Sequence, residues 1–368
     1  MKMSGYGFYQ RDEMFKSFSA GQVIFEEGQV GADMFVVMDG EVLVSIEGKP
    51  INTLEVGSIF GEMALIDDQP RSATATAVVD SKLLLVDQDQ FLKLIQESPD
   101  FAIETMSVMS RRMRSFIEDE VQRQRLEEEL EIGRRIQLSL LPERCPEIPG
   151  WDVSASYRSA RQVGGDLYDF ISVPDDSQRI HFVIADVTGK GVPAALFMAS
   201  ARMAMRAESL NGRGPAETLR RVNRLLSQDQ RSPLFLGAIF ATLDTPTGNL
   251  TYANGGLERP RWLHQESGKI ETLSAKGMLL GAFEEIPLEE QRLEIAPGDS
   301  LVFFTDGLTE ARNEEGHFFG EERLLETMAS RSWEEADQLH QAIIRAVDKF
   351  TGQTPASDDL TLVVIRRK

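Results

Sequence analysis

The sequence predicts a multidomain protein: an N-terminal β jelly roll or small barrel that ends in helices, a helical linker, and a C-terminal α+β domain. The 368 residues exceed the length of one ordinary domain. Short apolar segments separated by glycines occupy the first part of the chain, whereas blocks of apolar strands and amphipathic helices occupy the last part. A charged stretch without proline lies between them.

The N-terminal domain is expected to span residues 1–116. Strands are predicted at Gln22–Phe25, Asp33–Met38, Glu41–Ile46, Ile51–Leu54, Thr74–Val79 and Lys82–Val86, and helices at Gln88–Glu97 and Asp100–Phe116. The pair Asp39-Gly40, between two apolar segments, is typical of a β-hairpin turn. Short strands separated this regularly by turns predict a jelly roll or a small barrel.

Residues 117–141 form the predicted linker helix, in which apolar residues recur at four-residue steps. Gln124 and Glu128 interrupt the a/d register, so a heptad repeat is not sustained. The segment is either a solvated connection or a dimerising helix that transmits a signal. We favour the second interpretation and expect a homodimer. Pro142 ends the helix.

The C-terminal domain is expected to span residues 142–368. Its predicted strands are Asp152–Arg158, Leu167–Val173, Ile180–Val187, Leu236–Leu243, Ser300–Phe304 and Leu360–Ile365. Its predicted helices are Val192–Arg206, Ala216–Leu226, Glu321–Met328 and Glu334–Phe350. Strands and helices come in blocks rather than in strict alternation, which favours an α+β fold.

Composition excludes several classes of function. A net charge of -20 and a pI near 4.7 argue against nucleic-acid binding, which needs a basic face. No apolar run approaches the roughly 18 residues that span a bilayer, and Met1–Arg11 lacks the apolar stretch of a signal peptide. Cys145 is the single cysteine, which excludes an intrachain disulfide. We expect a cytoplasmic protein with no nucleic-acid or membrane partner.

One segment of the N-terminal domain has the chemistry of a phosphate cradle. Gly61 lets the backbone approach a ligand closely, and a short helix opening there would direct free N–H groups at an anion. Glu62 can accept hydrogen bonds from ribose hydroxyls, and Arg71 offers a charged fork that matches a phosphate.

These residues closely resemble the phosphate-binding cassette of cyclic-nucleotide-binding domains, and the resemblance covers about residues 18–116. It implies that Glu62 binds the ribose 2′-hydroxyl and that Arg71 binds the cyclic phosphate. The remaining cradle residues that it implies are Gly61, Met63, Ala64, Ser72 and Ala73. A domain that keeps this fold without the ligand is the alternative.

The identity of the nucleotide is less strongly indicated. Ser72 resembles the residue that follows the arginine in bacterial cAMP-binding proteins, although a hydroxyl there can also serve a guanine amino group. Phe116 and Ile117 lie where a hydrophobic lid over the base is expected. We expect cAMP, with cGMP as the alternative.

Four acidic motifs are spread over the C-terminal domain. They are VGGDLYDF with Asp166 and Asp169, ADVTGKG with Asp186, FFTDGL with Asp306, and ASDDLT with Asp358 and Asp359. Carboxylates at the ends of neighbouring strands could converge at one rim of a sheet, where they would repel one another unless divalent cations held them together. Ligands that are all oxygen, without His or Cys, indicate Mg²⁺ or Mn²⁺ rather than Zn²⁺.

In this order the motifs resemble the PPM family of metal-dependent protein phosphatases, specifically its bacterial SpoIIE/RsbU-like branch, from about Arg134 to Ile365. The resemblance implies a β-sandwich flanked by helices. It also implies two Mn²⁺ or Mg²⁺ ions, bridged by Asp186. Further ligands implied by the resemblance are the Val187 carbonyl, Asp306, Asp358 and, directly or through water, Asp166.

The implied reaction is hydrolysis by a water that the two metals activate. The eukaryotic relatives carry a histidine, which protonates the leaving group, where this chain has Thr188, so the alternative proton source here is solvent. They also hold the substrate phosphate with an arginine, for which Arg158 and Arg161 are candidates here.

The branch typically dephosphorylates a phosphoserine or phosphothreonine on a STAS-domain anti-anti-sigma protein in a partner-switching pathway. The sequence thus predicts a protein phosphatase that a cyclic nucleotide regulates. The alternatives are a catalytically inactive scaffold, which the intact Asp186, Asp306 and Asp358 oppose, and a transcription regulator, which the absent helix-turn-helix motif and the acidity oppose.

Overall fold

The computed structural model describes residues 15–66, 69–97, 99–173, 176–228 and 234–368. Met1–Arg11, Asp67 and Asp68 therefore lie outside the described residues. The chain divides into two compact units, Met1–Gln124 and Arg125–Lys368. The division lies inside the predicted linker, residues 117–141, and the domain boundaries at 116 and 141 stay predictions.

The first unit is built on eight strands among its described residues. They are β1 (Phe15–Phe18), β2 (Val23–Phe25), β3 (Asp33–Asp39), β4 (Val42–Ile46), β5 (Lys49–Leu54), β6 (Ile59–Phe60), β7 (Thr74–Ala77) and β8 (Ser81–Asp87). One antiparallel sheet has the order β1-β8-β3-β6 and the other has the order β2-β7-β4-β5. Three aromatic rings, of Phe25, Phe35 and Phe60, pack at 5.3–5.8 Å in the core. The predicted jelly-roll fold is confirmed.

The hairpin predicted at Asp39-Gly40 is wrong. Strand β3 pairs with β6 and β8, whereas β4 pairs with β5 and β7, so the two segments belong to different sheets. Gly40 has φ +92°, and a Cβ there would lie 2.7 Å from the Ser81 Cα. The glycine thus permits a tight passage of the chain from one sheet to the other, which a local turn signal does not distinguish from a hairpin.

Three helices are described in the first part of the chain: α1 (Met63–Ile66), α2 (Gln88–Glu97) and α3 (Pro99–Leu140). Helix α3 joins the predicted helix at Asp100–Phe116 to the predicted linker helix without a break, and it ends two residues before Pro142. Many of its apolar side chains are exposed, among them Met113 and Phe116.

Among its described residues, the second unit contains ten strands, the last part of α3 and five further helices. The strands are β9 (Trp151–Arg158), β10 (Leu167–Val173), β11 (Asp176–Val187), β12 (Leu236–Asp244), β13 (Asn249–Gly255), β14 (Arg261–Leu263), β15 (Ile270–Thr272), β16 (Glu290–Glu294), β17 (Ser300–Phe304) and β18 (Leu360–Arg367). The helices are α4 (Val192–Ser209), α5 (Pro215–Gln228), α6 (Asp306–Thr309), α7 (Gly320–Ala329) and α8 (Ala336–Thr351).

These strands form two five-stranded antiparallel sheets, in the orders β10-β11-β12-β13-β16 and β15-β14-β17-β18-β9. Helices α4 and α5 pack on the first sheet, and α8 packs on the second beside α7. Strand β17 is buried on both faces: Leu301 and Phe303 join the core between the sheets, whereas Val302 and Phe304 join the core under α7 and α8. The predicted α+β sandwich flanked by helices is confirmed.

The described helices include none that combines the length and the apolar composition needed to cross a membrane.

Candidate functional site

A cavity of about 300 Å³ lies in the first unit. All seven residues that the cassette resemblance selects line it, from Gly61 to Ala73. Apolar side chains of β4, β5 and β6, including Val44, Leu54 and Phe60, form another part of its wall. The cavity therefore combines an anion-binding cradle with an apolar surface, and this is the pair of environments that a nucleotide requires.

The guanidinium of Arg71 is buried at this cavity and is only partly satisfied. Its Nη1 donates to the carbonyl oxygens of Asp33 at 2.6 Å and Gly61 at 2.8 Å, and the group lies 4.3 Å from the centre of the Phe25 ring. Its buried Nε has no hydrogen-bond partner. Burial lowers the pKa of Arg71, and the charges of Asp33 and Glu62 partly offset that effect. An anionic ligand would complete the hydrogen bonding of this cation.

The carboxylate of Glu62 is buried and pairs with Arg112 of α3. Arg112 also donates to the carbonyl oxygen of Ile59 at 2.5 Å and lines the cavity. The sequence analysis did not identify Arg112, because nothing in the local sequence links an arginine on a charged helix to a glutamate fifty residues away. The predicted ribose-binding carboxylate is thus held by the helix that leaves the domain.

The structure does not bring the predicted hydrophobic lid to the cavity. The side chains of Phe116 and Ile117 are 70% and 49% exposed, and neither lines the cavity. The helix presents Arg112 there instead, one turn before Phe116. The polar contact with Glu62 fixes the rotation of this part of α3 and leaves the apolar residues facing solvent.

The structure brings four predicted carboxylates of the second unit into one group. Asp166 immediately precedes β10, and Asp186 is the penultimate residue of β11. Asp306 opens α6 two residues after the end of β17, and Asp358 lies two residues before β18. These strands belong to both sheets, so the group lies where the ends of the two sheets meet. We call Asp166, Asp186, Asp306 and Asp358 the acidic cluster.

Burial and repulsion by neighbouring carboxylates raise the pKa values of Asp166, Asp186 and Asp306. Desolvation and then the charge of Asp306 raise the pKa of Asp186 to about 7. Desolvation and then the charge of Asp358 raise the pKa of Asp306 to about 6. The pKa of Asp166 is also raised, by desolvation and then by Asp186. The carboxylates therefore share one electrostatic environment, which is unfavourable without added positive charge.

Hydroxyl groups orient the most deeply buried carboxylate of the cluster. Thr305 and Thr361 each donate a hydrogen bond from Oγ1 to Asp166 Oδ2 at 2.7 Å, and the Thr361 amide donates to Thr305 Oγ1 at 3.0 Å. Thr305 precedes α6 and Thr361 lies in β18. These bonds tie the loop before β10 to the two strands that place Asp306 and Asp358.

Asp359 is not a member of the acidic cluster but holds the backbone of the segment that leads to Asp166. Its carboxylate accepts hydrogen bonds from the amides of Ala160 at 2.8 Å and Gly165 at 2.6 Å. At Gly165 the chain also passes close to β11, since a Cβ there would lie 2.9 Å from the Val187 carbonyl oxygen. This carbonyl, which is a predicted metal ligand, therefore faces the loop that carries Asp166.

Two further residues that the sequence singled out have structural partners. The Oγ1 of Thr188 accepts a hydrogen bond from the Phe235 amide at 2.9 Å, so this hydroxyl is engaged with the backbone. Arg158 pairs with Asp348 of α8 at 2.6 Å. The Thr188 contact therefore supplies no dedicated proton donor, and a role for Arg158 or Arg161 in holding the substrate phosphate stays a prediction.

Asp169, from the same motif as Asp166, anchors helix α4. Its buried carboxylate pairs with Arg202 at 3.0 Å and with Arg206 at 2.6 Å. Both arginines lie on α4, whose first residue follows the loop after Asp186. Asp169 therefore fixes the helix that leads away from the acidic cluster.

The donor chemistry of the cluster fits hard divalent cations. Four carboxylates and the Val187 carbonyl offer oxygen ligands alone, which suit Mg²⁺ and Mn²⁺. Among the described residues, no group of three or more His, Cys, Asp or Glu side chains lies close enough together to hold a metal ion. The fit rests on the oxygen donors and on the mutual repulsion that raises the pKa values of Asp186 and Asp306.

Comparison with known proteins gives matches for both units. The family model of the cyclic nucleotide-binding domain matches residues 15–98, and the model described as Stage II sporulation protein E (SpoIIE) matches residues 176–368. Phosphoserine phosphatase RsbU of Bacillus subtilis (strain 168) is 31% identical over 248 residues, which cover 67% of this chain and 72% of that protein.

Solved structures agree in fold. The SiaA-PP2C domain of Pseudomonas aeruginosa matches with a TM-score of 0.59 at 21% identity, over 67% of this chain and 98% of that one. The RsbU and RsbW domains of a Mycobacterium tuberculosis protein match with a TM-score of 0.50 at 27% identity, over 61% of each chain. The chain therefore belongs to the SpoIIE family of PPM-type protein phosphatases, and it carries a cyclic nucleotide-binding domain before the phosphatase domain.

Proposed function

We propose that this chain is a cyclic-nucleotide-regulated, metal-dependent phosphatase that hydrolyses phosphoserine or phosphothreonine on a STAS-domain anti-anti-sigma protein. The single observation that carries the catalytic part is the acidic cluster at the ends of the two sheets, in which burial and neighbouring carboxylates raise the pKa values of Asp166, Asp186 and Asp306. The regulatory part rests on the contact between Arg112 and Glu62 in the nucleotide cavity.

In this proposal Asp186, the Val187 carbonyl, Asp306, Asp358 and Asp166 would hold two Mn²⁺ or Mg²⁺ ions. When bound, the ions lower the pKa of a water and neutralise charge on the phosphoryl group. The chain orients these ligands: Thr305 and Thr361 fix one oxygen of Asp166. Since the Thr188 hydroxyl is engaged with the Phe235 backbone, the leaving group takes its proton from solvent.

The names of the relatives support the proposed substrate class. One is a phosphoserine phosphatase, and one solved neighbour joins an RsbU domain to an RsbW domain in a single chain. Both names support a place for this chain in partner switching, with a phosphorylated STAS-domain protein as the substrate. We also propose a cytoplasmic homodimer with domains at 1–116, 117–141 and 142–368.

Regulation would act through helix α3, which makes one contact in its first half and another in its last turn. In the first half Arg112 pairs with Glu62, and in the last turn Gln137 contacts the backbone of Gly164. A nucleotide whose ribose binds Glu62 must compete with Arg112 for that carboxylate. The released helix would then alter the loop before Asp166. We expect cAMP rather than cGMP, activation, and a coupling of about 1–3 kcal/mol.

The direct test is phosphate release from a phosphoserine STAS protein with Mn²⁺, with and without cAMP or cGMP. The proposal expects hydrolysis that Asp306→Asn abolishes, and a nucleotide response that Arg71→Ala abolishes while basal hydrolysis persists. A folded wild-type protein without activity towards its phosphorylated partner, with any metal or nucleotide, would exclude the enzyme. Hydrolysis that no nucleotide changes would exclude the regulation alone.

A further inference from the structure

One cation of the chain already contacts the acidic cluster. The Lys190 ammonium donates to Asp358 Oδ2 at 2.6 Å and to the Ser357 carbonyl oxygen at 2.5 Å. Among the described residues, no salt bridge reaches Asp166, Asp186 or Asp306. Lys190, in the loop between β11 and α4, thus places its positive charge beside the loop before β18. There it neutralises Asp358, one member of the acidic cluster.

The surroundings of Lys190 allow its side chain to leave Asp358. Gly189 and Gly191 flank it with φ values of +93° and +76°, in the left-handed region that glycine adopts without strain. The Lys190 and Asp358 side chains are 37% and 32% exposed. The ion pair is therefore accessible to water and to dissolved ions, and an ammonium on a flexible stem can leave it without leaving a buried charge behind.

We propose that Lys190 is a tethered cation that neutralises Asp358 in the metal-free enzyme and competes with the divalent ion for that carboxylate. The inference rests on the proposed function, in which Asp358 is a metal ligand. The ammonium lowers metal affinity in two ways: the Asp358 pair must break before that oxygen can bind the ion, and the displaced charge remains near it. Lys190 thereby makes loading of the phosphatase dependent on the metal concentration.

Mn²⁺ binding to the full chain, followed by the electron paramagnetic resonance of free Mn²⁺, tests this without reference to activity. Lys190→Met should lower the Kd of Mn²⁺ by about five-fold, as expected for loss of a partly exposed ion pair that opposes binding. Lys190→Arg keeps the charge and should bind Mn²⁺ as the wild type does. Lys276→Met removes the same charge from an exposed position and should also leave the Kd unchanged.

Thermal unfolding separates competition from a merely structural role. Without metal, Lys190→Met should unfold at a lower temperature than the wild type, because the cluster has lost its counter-ion. At saturating Mn²⁺ the deficit should disappear. A deficit of equal size in both conditions would assign Lys190 a structural role and overturn the proposal.

The remaining outcomes are also decisive. A Kd that is unchanged or raised in Lys190→Met would show that the ammonium does not oppose the ion, and the proposal would fail while metal dependence stands. A folded wild-type protein that binds no Mn²⁺ would overturn this proposal together with the metal-dependent function.

Discussion

The side chain of Gln137 binds both polar groups of the Gly164 backbone. Its Nε2 donates to the Gly164 carbonyl oxygen at 2.5 Å, and its Oε1 accepts from the Gly164 amide at 3.0 Å. Gln137 lies in the last turn of α3 and is buried, and Gly164 lies two residues before Asp166. The end of the helix therefore fixes the loop that places one carboxylate of the acidic cluster.

Replacing Gln137 should uncouple the helix from the acidic cluster. Gln137→Ala leaves two buried backbone groups of Gly164 without partners, which costs about 1–3 kcal/mol for each group that water cannot reach. We expect equal phosphatase rates with and without cAMP, and a lower free energy of unfolding. All three tryptophans, Trp151, Trp262 and Trp333, lie in the second unit, so their fluorescence reports its unfolding.

The matched control for this change is Ser139→Ala, on the same turn of α3, because Ser139 is exposed and bonds only within its helix. It should retain the nucleotide response. A Gln137→Ala protein that responds to cAMP like the wild type would show that the signal does not pass through Gly164.

Replacing Arg112 should abolish the response of the phosphatase to the nucleotide without abolishing nucleotide binding. In Arg112→Ala the Glu62 carboxylate loses its partner from α3, so a nucleotide can occupy the cavity without moving the helix. Calorimetric titration should show that cAMP still binds, whereas phosphate release no longer changes when cAMP is added. Arg71→Ala, in contrast, should abolish binding itself, since its guanidinium is the cation predicted to hold the phosphate.

Arg111→Ala is the matched control for Arg112, since it removes the same charge from an exposed neighbouring position of α3. It should retain both binding and response. An Arg112→Ala protein that keeps its full response to cAMP would contradict the role of the Glu62 contact.

The attachment of α4 should be sensitive to Asp169. This carboxylate is buried, and its removal leaves Arg202 and Arg206 without their partner. We expect Asp169→Ala to lower the free energy of unfolding by about 3 kcal/mol, at the low end for a broken buried pair because Arg206 keeps access to water. Denaturant unfolding followed by tryptophan fluorescence measures the change.

An exposed ion pair gives the comparison for Asp169. Asp176 and Arg179 pair at 3.4 Å with both side chains exposed. Asp176→Ala should therefore cost no more than about 0.5 kcal/mol. Equal costs for the two substitutions would mean that Asp169 contributes no more than a surface charge.

His181 should make the second unit less stable in mild acid. Burial and then the charge of Arg179 lower the pKa of His181 to about 4, and its Nδ1 lies 2.9 Å from Thr242 Oγ1. An unfolded histidine titrates near pH 6.5, so between about pH 6.5 and 4 the unfolded state binds more protons than the folded state. The stability that His181 contributes is therefore lost as the pH falls through this window, by up to about 1.4 kcal/mol per pH unit.

The free energy of unfolding at pH 7 and pH 5 tests this sign. His181→Gln should lose less stability between these values than the wild type loses. His317→Gln, at an exposed position, should follow the wild type. A His181→Gln protein with the wild-type pH dependence would show that this imidazole does not contribute to acid sensitivity.

Continuous apolar segments made much of the fold predictable from sequence. Leu167–Val173 and Ser300–Phe304 were predicted with the observed bounds, because buried strands of Val, Ile, Leu and Phe stand out from their surroundings. Strands Asn249–Gly255 and Glu290–Glu294 were missed, since their polar residues resemble loops. The Asp39-Gly40 turn shows the same limit, because a turn signal does not specify which strands then pair.

The residues of the candidate site could be predicted from the sequence where they lie at the ends of strands. The four carboxylates of the acidic cluster each lie beside a strand that the sequence identified, so their approach follows from the fold. The contacts of Arg112 with Glu62 and of Gln137 with Gly164 were not predictable, because they join residues 50 and 27 positions apart. Lys190 was read only as part of the Asp186 motif, and its partner Asp358 lies 168 positions away.

The most direct test of the central claim is Mn²⁺-dependent phosphate release from an aryl phosphate by the full chain, beside the Asp306→Asn variant. This substrate needs no partner protein, so the measurement addresses the acidic cluster alone. The account predicts hydrolysis by the wild type that stops when a chelator removes the metal, and no hydrolysis by the folded variant. Equal hydrolysis by both proteins, or activity that persists in the chelator, would contradict it.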